Sequence, residues 1–183
     1  PLTGFISASA NTRELAPLVA ALALASQVGC RFTAQIGSMK INEEVDALEV
    51  MAVHPLRYLV TARLLGVGIA VIPLYMIGLL GSYLASKWAV VYLFGQSPGQ
   101  YDHYFNIFIR GHDVFLSVVK MVVFSIMIVL IHCWYGIRVQ GGPQSVGEAT
   151  GRAIRASIVV NVVLDMILTL VFWGSDSGFR VSG

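Results

Sequence analysis

Ionisable residues interrupt segments of this chain that are otherwise apolar. Lys120 and Asp165 each lie alone within a long apolar run, and Arg13 and Glu14 lie together in the first such run. An ionised group surrounded by hydrocarbon is costly, so each is expected to face an opposite charge or a polar cavity. The pattern leaves three roles open: a structural ion pair of Lys120 with Asp165 or Glu14, a cavity for the polar head of a substrate, and a proton relay.

A polar stripe runs along the last apolar segment. Its members recur every four residues and therefore lie near one another on a helix: Ser157, Asn161, Asp165 and Thr169. In apolar surroundings this stripe is expected to turn inward. His132 has no second ligand at helical spacing, so no metal site is predicted.

Residues 36–57 form an acidic stretch between two apolar segments. The pattern predicts an amphipathic helix over about residues 42–54, with Asn42 as its N-cap. Such a helix can carry motion from a soluble partner to the membrane, or it can lie on lipid. Its negative charge disfavours the second interpretation, because the inner leaflet is anionic. The apolar stripe comprises Ile41, Val45, Leu48 and Met51, and the acidic residues are Glu43, Glu44, Asp46 and Glu49.

Composition and segment length predict a membrane protein. Hydrophobic residues make up 56% of the chain and charged residues 12%, unlike a soluble domain. Four apolar segments are each long enough to cross a bilayer: about residues 4–36, 64–94, 114–137 and 156–175. Ala21, Ala25 and Gly29 form a ridge of small residues that favours close helix packing. The predicted fold is therefore all-α, a single polytopic transmembrane bundle over residues 1–183 with one short amphipathic cytoplasmic helix.

The distribution of basic residues predicts the orientation of the spans. More of them fall in the segments after the first and third spans than on the opposite side, which makes residues 38–55 and 138–151 cytoplasmic in an inner membrane. Residues 95–113 are then an external loop, and residues 136–151, rich in turn-forming residues, a cytoplasmic one. The basic residues concerned are Arg31, Lys40, Arg57, Arg63, Arg138, Arg152 and Arg155.

Several chemistries have no motif in this sequence. The phosphate-binding pattern of P-loop proteins, H-E-x-x-H and CxxC are all missing. We therefore expect no catalytic residues and no cofactor bound by this chain, so any ATP hydrolysis belongs to another polypeptide. The sequence has no stripe of basic residues of the kind that binds nucleic acid, so no nucleic-acid partner is expected.

Four stretches resemble one family. GSMKINEEVDALEVMAVHPLR resembles the cytoplasmic helix of MlaE/YrbE permeases, which serve lipid ABC transporters together with MCE-domain proteins. TRELAPLVAAL resembles the family's R-E-L-G-P-V-V-A-A-L, and VVKMVVFSI and NVVLDMILTLVF resemble its last two spans. The loop GGPQSVGEATGRAI is most similar to the corresponding loop in permeases of the actinobacterial Mce branch. Glu44, Ala16 and His54 depart from the usual Gln, Gly and Asp or Asn.

The resemblance implies a function and a set of partners. Two permease subunits, identical or homologous, would form a cavity for a fatty acid, sterol or phospholipid. A cytoplasmic P-loop ATPase dimer, holding ATP and Mg, would bind the acidic helix through Glu43, Glu44, Val45, Asp46, Leu48, Glu49 and Met51. MCE-domain proteins would receive or deliver the lipid outside. The polar part of the cavity would comprise Arg13, Glu14, Lys120, Asn161 and Asp165.

The resemblance also implies a longer native protein, because the family's N-terminal interfacial helix and first span have no counterpart here. Two other functions stay open. A proton-coupled secondary transporter would use Glu14, Lys120 and Asp165 as a proton path. A non-transporting scaffold would use the same charges only to fix helix register. The acidic helix favours the ABC permease, since neither alternative needs a site for an ATPase.

Overall fold

The computed structural model describes residues 7–93, 95 and 97–174, and within them the chain forms helices and no strand. In chain order the helices are α1 (Ser9–Ile41), α2 (Glu44–Val50), α3 (Pro55–Tyr92), α4 (Pro98–Phe108), α5 (Gly111–Ile137) and α6 (Pro143–Trp173). Helices α1, α3, α5 and α6 contain 33, 38, 27 and 31 residues, more than the roughly 20 that a span needs. This confirms the prediction of an all-α, multi-pass inner-membrane protein.

Contacts group the chain into two compact units. The first comprises the described residues within Pro1–Ala20, Ile72–Met121 and Val163–Gly183, and the second comprises Ala21–Val71 and Val122–Val162. All four long helices contribute residues to both units. The first unit therefore holds Arg13, Glu14, Lys120 and Asp165, whereas the second holds the acidic helix α2.

Polar side chains are buried in both units and large apolar ones are exposed. Thr12 and Ser117 are buried in the first unit, and Thr33 and Ser157 in the second. Exposed side chains along the long helices include Leu65, Ile69, Leu84, Val159 and Leu170. This is the arrangement expected in a bilayer, where lipid supplies no hydrophobic drive and helices associate through close packing and hydrogen bonds.

The long helices extend beyond the uncharged runs that predicted them. Helix α3 begins at Pro55 rather than near residue 64, and α6 begins at Pro143 rather than near residue 156. Charged residues limit hydrophobicity, but they do not interrupt backbone hydrogen bonding, so a helix continues past the apolar part of its sequence. The predicted limits at residues 4, 94 and 175 lie outside the described residues.

Two predicted loops are wrong in their secondary structure. Residues 98–108 of the expected external loop form α4, where Tyr101 is buried and Phe105 packs edge-on against Tyr83 with ring centroids 5.0 Å apart. The expected loop at 136–151 shrinks to residues 138–142, because α5 runs to Ile137 and Pro143 opens α6. Proline is favourable at a first helical position, which explains both helix starts, at Pro98 and at Pro143.

The acidic helix is shorter than predicted and has a different N-cap. Asn42 ends α1, donating its backbone N–H to the Ser38 carbonyl at 3.0 Å. Glu43 is the N-cap of α2 and has a left-handed backbone, with φ of 61°. The N-cap prediction at Asn42 is therefore wrong. A left-handed residue between two helices turns the chain sharply, so that α2 leaves the direction of α1.

The π-helical segment Ser7–Leu15 leads into α1, and a second, Ala25–Gly29, lies within it; they alternate with α-helical Ala16–Leu24 and Cys30–Ile41. In a π turn the hydrogen bond spans five residues instead of four. The side chains that follow are therefore rotated around the helix relative to an ideal α-helix. Arg13 and Glu14 lie in the first such segment, so a 3.6-residue period does not predict which way they face.

Close contact of α1 with α5 forms the core of the second unit. The ridge of Ala21, Ala25 and Gly29 is buried, which confirms that it packs within the chain. A Cβ at Gly29 would lie 2.6 Å from the His132 ring. That ring is fully buried, and Thr33 Oγ1 lies 2.8 Å from its Nδ1. A larger residue at position 29 therefore has no room.

We expect Gly29→Ala to destabilise the protein by about 1–3 kcal/mol, because the buried imidazole would have to move. Gly66→Ala is the matched control, since nothing lies within 4 Å of a Cβ there. Alanine is the better helix former by about 1 kcal/mol, so the control should be neutral or stabilising. The measurement is the thermal unfolding midpoint of each variant in detergent. Equal midpoints for the two variants would contradict the close contact.

Candidate functional site

Lys120 lies at the centre of a charged cluster in the first unit. Its side chain is 0% exposed. Its Nζ donates to the Arg13 carbonyl at 3.0 Å and to Thr169 Oγ1 at 2.7 Å. It also lies 2.7 Å from Asp165 Oδ1, an ion-pair contact without the angle of a hydrogen bond. Three oxygens thus surround the ammonium group, which confirms the predicted pairing of Lys120 with Asp165.

Glu14 joins the same cluster through Thr169. The Thr169 hydroxyl accepts the Lys120 hydrogen bond and donates to Glu14 Oε1 at 2.6 Å. The second carboxylate oxygen, Oε2, lies 3.5 Å from Lys120 Nζ. Both acids named as possible partners of Lys120 therefore contact it, with Asp165 the closer. On α6, Asp165 and Thr169 turn inward together, as the four-residue period predicts.

A second ion pair lies beside this cluster. Arg13 Nη2 donates to Asp113 Oδ2 at 2.9 Å, and Trp173 Nε1 donates to Asp113 Oδ1 at 2.9 Å. The Trp173 ring centroid lies 5.4 Å from Arg13 Cζ and 5.8 Å from Lys120 Nζ, within range for cation–π attraction. One indole ring thus contacts both cations, and Asp113 holds the ring in place.

Sequence reasoning missed Asp113 and Trp173. Asp113 was assigned to the external loop, but it lies in the first turn of α5 and is buried. A signal was present, because an acid in the first turn of a helix favours the positive end of its dipole. Trp173 closes the apolar run of α6, where an aromatic residue is ordinary, and nothing in its spacing singled it out.

Exposure divides the cluster into an inner pair, Lys120 and Asp165, and an outer pair, Arg13 and Glu14. The side chains of Lys120 and Asp165 are 0% and 10% exposed, whereas those of Arg13 and Glu14 are 19% and 39% exposed. Arg13 Nε also has no hydrogen-bond partner among the described residues. The inner pair has its charges matched within the chain. Only the outer pair is placed to meet another molecule.

Asn161 was predicted with these charges but belongs to the second unit. Its Nδ2 donates to the Ser157 carbonyl at 2.8 Å. Its Oδ1 is buried without a hydrogen-bond partner among the described residues. Ser157 Oγ lies 3.4 Å from His132 Nε2. The polar stripe of α6 thus divides between the two units, with Asp165 and Thr169 in one and Ser157 and Asn161 in the other.

Helix α2 packs its predicted apolar stripe onto its own chain. Val45 is 2% exposed, and Ile41 and Leu48 are half-buried. Val50 is 89% exposed and Met51 is 64% exposed. Val45 therefore anchors α2 within this chain. The free apolar surface is at Val50 and Met51.

The acidic residues of α2 differ in what they contact. Asp46 forms an ion pair with Lys40. Glu44 and Glu49 are exposed, with no basic partner among the described residues. Glu43 supplies the left-handed N-cap and is also exposed. An uncompensated negative charge therefore accompanies the exposed Val50 and Met51, a combination that suits a basic and partly apolar partner.

Comparison with known proteins gives one consistent result. The family model for the permease MlaE matches residues 1–171. A probable ABC transporter permease protein of Synechocystis is 32% identical over 170 residues, covering 90% of this chain and 63% of the relative. The chloroplastic protein TRIGALACTOSYLDIACYLGLYCEROL 1 of Arabidopsis thaliana is 29% identical over 174 residues, covering 93% and 49% respectively. The chain thus spans about half to just under two thirds of the length of these curated relatives.

We expect Lys120→Met and Asp165→Asn each to destabilise the protein by about 3–5 kcal/mol, because each leaves the opposite charge buried and unmatched. The double variant should cost clearly less than the sum, since it removes both charges. The measurement is the free energy of unfolding of the four proteins in detergent.

The matched control is the exposed pair of Lys87 and Asp102, whose charged atoms are 2.7 Å apart. An exposed pair contributes about 0–1 kcal/mol, so Lys87→Met and Asp102→Asn should have small effects. Strictly additive losses at Lys120 and Asp165 would show that the two residues act independently.

Proposed function

Because the chain belongs to the MlaE permease family, we propose that it forms the membrane-spanning permease part of an ABC transporter that moves lipids. The family match over residues 1–171 is the observation that carries this proposal. Curated relatives in Synechocystis and Rickettsia prowazekii are named probable ABC transporter permease proteins. ATP and Mg would bind to a separate cytoplasmic ATPase dimer, and this chain would hydrolyse nothing.

The substrate we propose is a fatty acid, a sterol or a phospholipid. Such molecules join a small polar group to a large apolar body. The outer pair offers the matching surface, since Arg13 and Glu14 are partly exposed and the exposed apolar side chains of Leu15 and Val19 follow them on the same helix. The partly exposed guanidinium of Arg13 can donate to a headgroup oxygen. The inner pair would hold Arg13 and Glu14 in position through Thr169 and the Arg13 carbonyl.

The partners we propose follow the same logic. Two permease chains, identical or homologous, would enclose the lipid cavity. ATP binding would close the ATPase dimer and move α2, which is joined to α1 through Asn42 and Glu43 and to α3 through residues 51–54. MCE-domain proteins on the outer side would exchange the lipid with the cavity.

The docking surface on α2 is proposed to centre on Val50 and Met51, with Glu44 and Glu49 at its rim. Burial of Val45 supports this assignment, because a helix anchored on one side presents its opposite side to a partner. Basic residues at the edge of the ATPase groove would meet the two glutamates and guide association.

We expect Val50→Asp to leave the permease folded and inserted but to abolish co-purification of the ATPase, because the new carboxylate would be buried unpaired at the interface. Val50→Ala, which shortens the side chain without adding a charge, is the matched control and should retain most of the ATPase. Val45→Asp should instead unfold α2 and lower the thermal midpoint. Full retention of the ATPase by Val50→Asp would contradict the proposal that Val50 lies in the docking surface.

The proposed orientation places residues 38–55 and 138–151 in the cytoplasm and residues 96–112 outside. In a background with Cys30→Ala and Cys133→Ala, we expect Ser97→Cys to react with an impermeant thiol reagent applied to intact cells. Gln144→Cys should react only after the membrane is opened. Both positions are exposed in the structure, so accessibility within the fold does not limit either reaction. The opposite labelling pattern would invert the orientation.

One transport measurement separates this function from the two alternatives. The full complex is reconstituted in vesicles, and movement of labelled lipid is followed with ATP alone and with a proton gradient alone. Transport with ATP and without a gradient supports the ABC permease. Transport with the gradient alone, abolished by Glu14→Gln, identifies the proton-coupled carrier. Absence of transport under both conditions, from a complex that retains its subunits, identifies the scaffold.

A further inference from the structure

A basic pocket lies at the connection between α5 and α6 in the second unit. It has a volume of about 250 Å³, and its polar lining residues include Arg138, Gln140, Ser145 and Arg152. Both arginines are exposed, and neither forms an ion pair with any residue that the structure describes. The pocket thus carries two positive charges that the described part of the chain does not neutralise.

An apolar groove adjoins this pocket. It has a volume of about 350 Å³ and runs between α3, α5 and α6, where its lining includes Val60, Leu130, Ala156 and Val160. Trp134 and Tyr135 line both the groove and the basic pocket. The two cavities therefore share these aromatic residues as a common wall.

The aromatic residues mark the level at which the polar and apolar parts meet. Arg138 Cζ lies 3.8 Å from the centroid of the Trp134 ring, so the guanidinium is held flat on the indole by cation–π attraction. Tryptophan and tyrosine concentrate where hydrocarbon gives way to headgroups. Arg138 is thereby positioned at headgroup depth, one helical turn beyond Trp134.

From this juxtaposition we propose a binding site for an anionic glycerophospholipid of the surrounding bilayer. Its phosphate lies between Arg138 and Arg152, and one acyl chain lies in the groove beside Leu130, Ala156 and Val160. Arginine suits a phosphate because its planar fork donates two parallel hydrogen bonds. The site lies wholly in the second unit, apart from the charged cluster around Lys120, and does not depend on the proposed transport function.

Size favours a phosphate and its glycerol over a lone carboxylate. One water occupies about 30 Å³ of liquid, so a pocket of about 250 Å³ is far larger than a carboxylate needs. The adjoining groove favours a lipid over a soluble phosphate, because a free anion would leave it empty. Basic pockets between membrane helices are an established way of holding anionic headgroups.

The test uses the full-length protein in nanodiscs of phosphatidylcholine that contain a small fraction of photoreactive lipid. The probe is phosphatidylglycerol, or phosphatidylcholine for comparison, with a diazirine in one acyl chain. Labelled peptides are mapped by mass spectrometry. We expect labelling of residues 130–134 and 156–160 to be at least about fivefold stronger with phosphatidylglycerol, since each arginine favours an anionic lipid by about that factor.

Three variants decide between a built site and a diffuse surface charge. Arg138→Gln combined with Arg152→Gln should reduce phosphatidylglycerol labelling to the phosphatidylcholine level. Arg155→Gln, an exposed arginine on the same helix outside the pocket lining, is the matched control and should keep the preference. Ala156→Phe should fill the groove and lower labelling there by either lipid. The thermal midpoint of each variant shows that it is folded.

Several outcomes would overturn the site. Equal labelling of the unaltered protein by the two lipids would mean that the groove is ordinary lipid-facing surface. Equal loss in Arg155→Gln and in the double variant would mean that charge acts diffusely. Labelling of neither segment by phosphatidylglycerol, together with inorganic phosphate binding that the double variant abolishes, would mean an anion pocket without a lipid. Labelling of neither segment, while a soluble acidic protein binds the pocket, would assign the surface to that protein.

Discussion

The buried ammonium group of Lys120 is the constraint on which the first unit depends. It lies within a segment long and apolar enough to span a membrane, so it must be matched inside the protein. The matching oxygens come from two helices: the Arg13 carbonyl of α1, and the Asp165 and Thr169 side chains of α6. A single charge on α5 thus fixes the placement of two other helices, and a helix that shifted by one turn would leave it unmatched.

The same constraint explains where the functional surface lies. Since the charges of the inner pair, Lys120 and Asp165, are matched within the chain, the accessible charges are those beside them, on Arg13 and Glu14. Asp113 matches Arg13, and Trp173 contacts Arg13, Lys120 and Asp113 together. The cluster therefore holds a partly exposed charged surface on a rigid base, as the proposed site for a polar headgroup requires.

The second unit presents two surfaces that each combine exposed charge with exposed apolar residues. Helix α2 is held by Val45 and leaves Val50, Met51 and two glutamates exposed. The connection between α5 and α6 instead presents Arg138 and Arg152 beside an apolar groove. Two surfaces of opposite charge thus lie in one compact unit. The acidic surface of α2 suits the proposed partner protein with a basic groove. The basic pocket between α5 and α6 suits the proposed anionic lipid.

The sequence by itself determined the class, the helical spans and the inward turn of Asp165 and Thr169, because those follow from hydrophobicity and from the helical period. It also predicted that Lys120 contacts Asp165 or Glu14, since an isolated charge in hydrocarbon requires an opposite one. Only the tertiary structure decided that Asp113 pairs with Arg13, that Asn161 lies apart, and that Val45 faces inward. The first and the last of these involve unusual backbone, since Arg13 lies in a π-helical segment and Val45 follows the left-handed Glu43. Each of these backbone features turns the side chains that follow it, and neither can be read from the spacing of residues in the sequence.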